Sequence, residues 1–591
     1  MERILDFKPL ERLVLPDLGE LTCAGLVLIV GPNSSGKSQL LQDINLRVSG
    51  EVRKLVVAEK VDLRKPEYEP FLKTLEREGY LSTFYDDAGA LTIRPKTAFL
   101  GTGSGGAQIA GNQAQSWHSA FTPADERRRK IEFLNYFGRM IVTALFLDRR
   151  LTLVNQVGGF DYESQPPQND LQALYLNSTA KRELAAEVIR SFGRAVWLDA
   201  SRGPVLCLRV SDSPTVPDAE ERHEPGAMTR YRTIETEGDG LKSYVATCIA
   251  LLLGQRPVCV IDEPEMCLHP PQAYNLGRFI GRFGTSTENV TFVATHSSHI
   301  LRGIVQTAAS LQIVRLTRSA SGFHAYLVPR EALAESLRRP NLRAEAVLDG
   351  IFAQAVVVVE ADGDRLVYQA VFETVADQYQ LDVHFAAVGG TGGLANTCTL
   401  YRTLRIPVVV IADLDIVTDP DNKLGRVLSA LEAEQTEELV RRAGEIATAL
   451  KSLPPVLSES DAKHQVQLTI ERELDWAKGS DVELQKALQS IANRLDRMRR
   501  LKKGGVNNLP TEIAEPLKAL VGDLREAGLF LVPVGELEEW LAGRGVAPSK
   551  QEKWAWANEA ASRVKELGAQ SGDVWDFVRN VGQYLRMEFD K

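Results

Sequence analysis

The chain has 591 residues, 44% of them hydrophobic and 25% charged, with a formal net charge of −9. This length predicts two to four domains with sizeable cores, and the acidic balance excludes a global attraction to nucleic acid, so any DNA contact has to come from local basic patches or through metal ions. No uninterrupted apolar run of about 18 residues argues for a membrane span, the start Met1-Glu2-Arg3-Ile4-Leu5-Asp6 lacks a signal-peptide layout, and six scattered cysteines without a close pair argue against zinc or a disulfide framework and fit a reducing cytoplasm.

The first informative element is the apolar run Leu26–Val30, read as a strand, followed by Gly31-Pro32-Asn33-Ser34-Ser35-Gly36-Lys37-Ser38. Gly31 and Gly36 let the backbone curl so that its N–H groups face phosphate oxygens, with Asn33 and Ser35 completing the loop. Lys37 reaches the outer phosphates and Ser38 can hold Mg²⁺. The helix starting at Gln39 adds its positive end. An ordinary Gly/Ser turn fits the same letters; the strand before and the helix after favour the phosphate loop.

About 200 residues separate this loop from the next motif, which implies an insertion. It holds a Gly-rich piece, Gly101-Thr102-Gly103-Ser104-Gly105-Gly106, read as a mobile loop. A helix is expected near Arg127–Phe146, ending at Asp148-Arg149-Arg150, where either arginine approaches nucleotide or a partner head, or makes a surface ion pair. Strand character follows at Ala195–Leu198 and Val205–Val210, and Ser211–Pro225 reads as a loop.

Glu237-Gly238-Asp239-Gly240-Leu241-Lys242-Ser243 then opens an apolar helix, Tyr244–Leu253. It is an anion cradle, or a plain helix cap made by Asp239 or Ser243. The buried-strand pattern Pro257–Ile261 delivers Asp262 and Glu263 at its C-terminal end. Asp262 suits Mg²⁺ held through water, and Glu263 suits polarising an attacking water. Past the strand Val290–Phe292, Val293-Ala294-Thr295-His296-Ser297-Ser298-His299 places His296 to sense a terminal phosphate, against the alternative of a structural histidine.

In the second half, the β-branched run Ala355–Val359 ends in Glu360, with Asp364 four residues on at a helix start. A second run, Pro407–Ala412, ends in Asp413-Leu414-Asp415, and Phe385–Gly390 is a short strand with a Gly turn between them. Acids at the C-terminal ends of adjacent parallel strands converge on the edge where open α/β sheets bind ligands. Their mutual repulsion is relieved by a divalent cation, and oxygen-only ligands favour Mg²⁺ or Mn²⁺. For each acid singly, a cap or strand-end turn is the competing account. A last strand, Leu529–Val534, leads to Glu536 and Glu538. Residues 421–503 read as charged helices, ending in the basic group Arg494, Arg497, Arg499, Arg500, Lys502 and Lys503, a DNA-phosphate patch or a solvated face.

The order GPNSSGKS, EGDGLKS, VCVIDEPEMCLHP and VATHSSH resembles the ABC-type ATPase heads of the RecF/SMC-like group, and most of all the ATPase of OLD-family (overcoming lysogenization defect) proteins. The acidic half resembles the Toprim fold of topoisomerases, primases and OLD-family nucleases. The resemblance implies an α/β architecture: an ABC-type P-loop domain over 1–345, with an insertion and possible dimerisation element at about 50–230, then a Toprim domain over 346–591 with a helical insertion at about 421–505. It implies nucleotide contacts from Gly31, Asn33, Ser35, Gly36, Lys37, Ser38 and Asp262, with Gly238 and Gly240 acting in trans although this turn departs from LSGGQ. Catalytic roles fall to Glu263, His296, Glu360, Asp413 and Asp415. Metal ligation falls to Ser38, Asp262, Glu360, Asp364, Asp413 and Asp415, with Glu538, or Glu536 in its place, as a further acid. Ala361 stands where the family often has Gly, and Gly363 is the candidate to supply the turn. Lys553 and Lys565 are both candidates for a later lysine. The implied cofactors are ATP and Mg²⁺, or Mn²⁺ at the Toprim site. The implied activity is an ATPase joined to a nucleotide-regulated, two-cation DNA endonuclease of cytoplasmic anti-phage defence. Implied partners are DNA, a homodimer or higher homo-oligomer, and a helicase-like or effector protein, with no membrane. The rival readings are an ATP-driven DNA clamp or sensor that does not cut, and a topoisomerase using Tyr368 or Tyr401.

Overall fold

The computed structural model describes residues 10–95 and 141–591 apart from short stretches, the longest being 335–344, 472–479 and 547–552. Two units divide the chain, Met1–Leu337 and Arg338–Lys591.

The first unit is built on six strands: β1 (Gly25–Val30), β2 (Val142–Leu145), β3 (Val258–Asp262), β4 (Val290–Ala294), β5 (Leu311–Ser319) and β6 (Gly322–Val328). Their order across the sheet is β6-β5-β1-β4-β3-β2, parallel except for the β5–β6 hairpin. β1 and β4 are buried along their whole length, as a parallel sheet covered on both faces demands. Because neighbours are in register (Ile29 opposite Ala294, Ala294 opposite Asp262), the loops after β1, β3 and β4 leave from one edge.

Each loop leads into a helix: α1 (Lys37–Val48), α4 (Pro270–Phe283) and α5 (Ser298–Thr307), with α2 (Leu147–Leu153) after β2 and α3 (Asp239–Leu253) before β3. On α1 the buried residues Leu40, Leu41, Ile44 and Val48 form one stripe toward the sheet. Its first residue follows Gly36 (φ 96°), and no side chain caps its leading N–H groups. Small antiparallel sheets flank this core, including the pair Ala195–Asp199 and Val205–Ser211.

Two expectations change here. Val142–Leu145, read as the end of a helix, is the edge strand β2, pairing in parallel with Val258–Ile261; its apolar, β-branched letters suit a strand held by a neighbour remote in sequence. The rest of that helix, 127–140, and the Gly-rich piece 101–106 lie outside the described residues. In the segment read as a loop over 211–225, Ala219–His223 is a short helix whose N-cap Asp218 accepts from Glu221 N–H.

The second unit holds β7 (Ala355–Val359), β8 (Val383–Ala387), β9 (Val408–Ala412) and β10 (Leu529–Leu531) in the order β8-β7-β9-β10, all parallel. β7 and β9 are wholly buried valine-rich strands. One face packs on α6 (Asp362–Val375), α14 (Lys553–Leu567) and α15 (Asp573–Asp590), with Tyr368, Phe530, Trp540, Trp575 and Val578 in the shared core. Each such large apolar side chain contributes about 1.5–3 kcal/mol on burial. α7 (Thr391–Thr403) joins β8 to β9 and packs on β7 and β9. Between β9 and β10 come α8 (Lys423–Ala430), α9 (Thr436–Ser452), α10 (Glu459–Ile470), α11 (Ser480–Leu495), α12 (Arg499–Lys502) and α13 (Thr511–Glu526). Gly363 does not make the turn expected of it. It lies inside α6 without a positive φ, and the extended backbone of Ala361 (φ −138°) makes the transition.

Helices α4 and α5 cross so closely that a Cβ on Gly303 would stand 2.4 Å from the Tyr274 carbonyl oxygen, and one on Gly277 would stand 2.5 Å from that of Ile300. Gly303→Val is therefore expected to destabilise the first unit by about 1–3 kcal/mol. A urea titration that leaves the unfolding midpoint in place would show that the crossing has slack.

Candidate functional site

The loop after β1 wraps a cavity of about 320 Å³, lined among others by Asn33, Ser35, Gly36, Lys37, Ser38 and Glu263. Gly31 (φ 143°) is required twice over, because a Cβ there would also stand 2.1 Å from the Leu316 carbonyl oxygen. The Lys37 ammonium is buried and donates to the carbonyls of Gly31 (2.9 Å) and Pro32 (2.8 Å). Burial lowers its pKa, against the pull of Glu263, Glu265 and Asp262. Ser35 Oγ is buried without a hydrogen-bond partner, so the loop holds an unused hydroxyl, a cation and uncapped helix N–H groups, a set that fits a phosphate.

Ser38 Oγ donates to Asp262 Oδ1 at 2.9 Å, joining the two groups expected at Mg²⁺. Burial, offset by the Ser38 hydrogen bond, raises the Asp262 pKa. Glu263 follows with a left-handed backbone (φ 45°), a conformation that costs on the order of 1–3 kcal/mol unless its surroundings hold it. Its N–H donates to the Ala294 carbonyl at 2.9 Å. His296 Nδ1 lies 3.3 Å from Glu263 Oε1 and 3.4 Å from Glu265 Oε1. The hydrogen bond to Glu263 raises the His296 pKa and lowers that of Glu263. Glu265 is tied down by Thr295 Oγ1 (2.8 Å) and His296 N–H (2.9 Å). Asp262, Glu263 and His296 thus stand on the edge that carries Lys37.

The signature turn is a separate feature. Gly240 has a local reason to lack a side chain: a Cβ there would stand 2.3 Å from the Cys267 carbonyl oxygen. Around Gly238 there is open space, and neither glycine lines the phosphate-loop cavity.

Arg149 and Arg150 separate in role. Arg149 makes a half-exposed contact with Asp170 at 3.8 Å, the surface pair foreseen. Arg150 is the opposite of a surface residue, being fully buried. Its Nε donates to Ser243 Oγ (2.8 Å), Nη1 to the carbonyls of Leu145 (2.7 Å) and Asp262, and Nη2 to the Glu263 carbonyl (3.0 Å). One guanidinium therefore fixes the left-handed Glu263 backbone to the start of α3.

In the second unit, Glu360 follows β7, and Asp413 and Asp415 follow β9, on the C-terminal edge of the sheet. Asp364 Oδ2 accepts the Ala361 N–H at 3.0 Å, so it does the capping that was its alternative role, yet it remains half-buried beside the other acids. Burial and neighbouring acids push three carboxyls up: Asp413 to about 8, Glu360 to about 7 and Asp364 to about 6. For Asp413 the neighbours are Glu360, Asp364, Asp415 and Glu536. Glu360 Oε1 is buried with no hydrogen-bond partner. Among the described residues no three His, Cys, Asp or Glu side chains close into a ready-made cation cage. What the edge shows is crowded, under-compensated carboxylate, and that fits a divalent ion.

The lysines distribute differently from expectation. Lys565 pairs with Glu373 (3.2 Å), away from these acids, whereas Lys553 reaches Glu538 (3.5 Å). Lys502, counted only within the basic patch, lies 2.8 Å from Asp415 Oδ2 and 3.8 Å from Glu536 Oε1. The side chains of Arg494, Arg497, Arg499, Arg500 and Lys503 lie outside the described residues. Tyr368 is buried and accepts from Trp540 Nε1 (3.1 Å), and buried Tyr401 donates to the Val347 carbonyl (2.6 Å). Neither is available as a nucleophile.

Arg150→Ala leaves three carbonyls and a hydroxyl buried without their donor. An expected loss of about 2–5 kcal/mol follows, read from urea unfolding, with Arg150→Lys recovering part of it. A loss below about 0.5 kcal/mol, the size of an ordinary surface change, would contradict the role. A second expectation concerns pH. Unfolded carboxyls titrate near about 4, so the folded acid cluster binds protons more tightly than the unfolded chain. Its metal-free stability therefore falls as pH rises from there toward the Asp413 value of about 8. A cation takes only the charged forms, so Mn²⁺ affinity, measured calorimetrically without nucleotide, is expected to rise at least about tenfold between about pH 6 and 8.5. A flat profile would contradict the crowding.

Residues 351–415 match the family model for the overcoming lysogenization defect protein-like Toprim domain. Among curated proteins, endonuclease GajA of Bacillus cereus (strain VD045) is 26% identical over 218 residues, covering 34% of this chain and 36% of that protein. The chain thus matches about a third of the length of that relative. Solved structures with local similarity include the C-terminal region of the Xanthomonas campestris pv. campestris OLD protein (16% identity, 40% of this chain, 96% of that one, TM-score 0.18). Another is the SMC head domain from Thermotoga maritima (12% identity, 54% and 99%, TM-score 0.27). Residues 351–415 thus match an OLD-like Toprim domain, and in front of them the first unit carries a strand-borne phosphate loop with its paired acids on a mostly parallel sheet.

Proposed function

We propose that this chain is a nucleotide-regulated, divalent-metal-dependent DNA endonuclease acting in anti-phage defence. The observation that carries the reading is the set Glu360, Asp364, Asp413 and Asp415, half-buried acids that crowd one sheet edge, with the Glu360 Oε1 atom buried and without a hydrogen-bond partner. DNA is the substrate class, since a phosphodiester is what a cation held by carboxylates is suited to polarise. Resident Mg²⁺ or Mn²⁺ would supply an activated water and charge stabilisation on the leaving oxygen. The four acids hold and orient, and none acts as a nucleophile. Buried Tyr368 and Tyr401 speak against strand transfer through tyrosine.

In the head, Gly31, Asn33, Ser35 and Gly36 cradle phosphates, Lys37 pairs with them, and Ser38 and Asp262 hold Mg²⁺. Glu263 orients the water for ATP hydrolysis, and His296, hydrogen-bonded to Glu263, meets the terminal phosphate. Gly238 and Gly240 complete the nucleotide site of a second copy, which makes the working form at least a homodimer. A helicase-like or effector protein is the expected further partner, in the cytoplasm. The relative named an endonuclease supports the cutting activity. No described helix is long and apolar enough to cross a membrane.

Supercoiled plasmid incubated with Mg²⁺ or Mn²⁺, with and without ATP, is expected to become nicked or linear. Asp413→Ala is expected to abolish cutting while ATP hydrolysis persists, and Lys37→Ala to abolish nucleotide binding. Relaxed closed circles, or unchanged plasmid under all conditions, would sink the nuclease reading.

A further inference from the structure

Lys502 is built into the second unit by close backbone contacts. Gly535 has φ 109°, and a Cβ there would stand 2.3 Å from the Leu501 carbonyl oxygen and 2.5 Å from that of Lys502. Gly505 has φ 56°, and a Cβ there would stand 2.0 Å from the Pro533 carbonyl oxygen, which also accepts the Val506 N–H at 3.1 Å. Leu501 is fully buried. The end of α12 is thus pressed onto the backbone between β10 and Glu536, a fixture that a freely swinging surface lysine does not need.

From this anchor the ammonium stands 2.8 Å from Asp415 Oδ2 and 3.8 Å from Glu536 Oε1. The charge balance across the edge is therefore uneven. On the Asp415 side a protein cation is already in place. Glu360 Oε1 has no hydrogen-bond partner, and neither Glu360 nor Asp413 has a lysine within ion-pair distance among the described residues, Lys502 acting on both only from further off.

We propose that Lys502 is the second positive charge of the Toprim site: its ammonium fills the position beside Asp415 that a second divalent ion would take, so that Glu360 and Asp413 hold one divalent ion. The proposal rests on the nuclease reading for its chemical meaning. It concerns a cation count, so it can be tested apart from cleavage. An ammonium offers three N–H donors and no open coordination position. Lys502 can therefore hold a phosphate oxygen and meet charge developing on it, but it cannot activate a water. Water activation belongs to the Glu360–Asp413 side, and the two-cation scheme reduces to one metal ion and one lysine.

The test is Mn²⁺ titration of the full-length, nucleotide-free protein, with bound ions counted by electron paramagnetic resonance. The unsubstituted protein is expected to bind one Mn²⁺ per chain without the spectral broadening of a close metal pair, and Glu360→Gln to lose that ion. Lys502→Ala is expected to take up a second ion with pair broadening, as is Lys502→Met, which keeps the apolar stem. Lys502→Arg is expected to stay at one. Two spin-coupled ions in the unsubstituted protein, no bound ion, or one ion in both open variants would each overturn the proposal. If the counts are as expected and plasmid stays intact, the nuclease reading fails and the role of Lys502 stands.

Discussion

The second unit is organised around an unfavourable interaction: several carboxylates pressed together at the end of a parallel sheet. Wholly buried β7 and β9 deliver Glu360, Asp413 and Asp415 to one edge because their neighbours lie in register. The result is a cluster in which Asp413 reaches about 8 and Glu360 about 7. A fold has no structural use for such repulsion. It is held by the surrounding core, where Trp540, Trp575 and Phe530 fill one face of the sheet. Burial of these rings contributes several kcal/mol to holding the sheet that carries the acids.

The head meets a related demand with a different device. Its acids also stand half-buried at a sheet edge, but they have partners within the chain. Ser38 donates to Asp262, His296 lies beside Glu263 and Glu265, and Lys37 is drawn toward all three acids. Backbone is compensated as well. The left-handed Glu263 is bracketed by the Ala294 carbonyl on its N–H and by Arg150 on its carbonyl. Asp262 and Glu263 in the first unit thus have side-chain partners within the chain, whereas Glu360 Oε1 in the second has none.

Legibility in the sequence followed the range of the interactions. Strand-borne motifs were readable because a strand, its terminal polar residue and the following helix are contiguous. The phosphate loop, Asp262–Glu263, His296, Glu360 and the Asp413–Asp415 pair all belong to this class. Val142–Leu145 was misread because it is a strand only through pairing with Val258–Ile261, more than a hundred residues away. Arg150 reads two ways in the sequence because its partners are mostly carbonyls, which no letter announces. Lys502 was hidden in a basic run, and its distinguishing signal was conformational: Gly504, Gly505 and Gly535 all take positive φ. The pair Gly504-Gly505, directly after Lys502-Lys503, is a local cue that the chain turns sharply there. Asp364 shows the reverse case, where the cap and the buried acid turned out to be one side chain.

Arg150 binds Ser243 near the start of α3 and, through the same planar group, the peptide oxygens of Asp262 and Glu263. A guanidinium is rigid, so these attachments and the Leu145 carbonyl cannot shift independently. A displacement of Ser243 would therefore be felt at the peptides of Asp262 and Glu263, which the same group holds, so the opening turns of α3 and the end of β3 keep a fixed spacing.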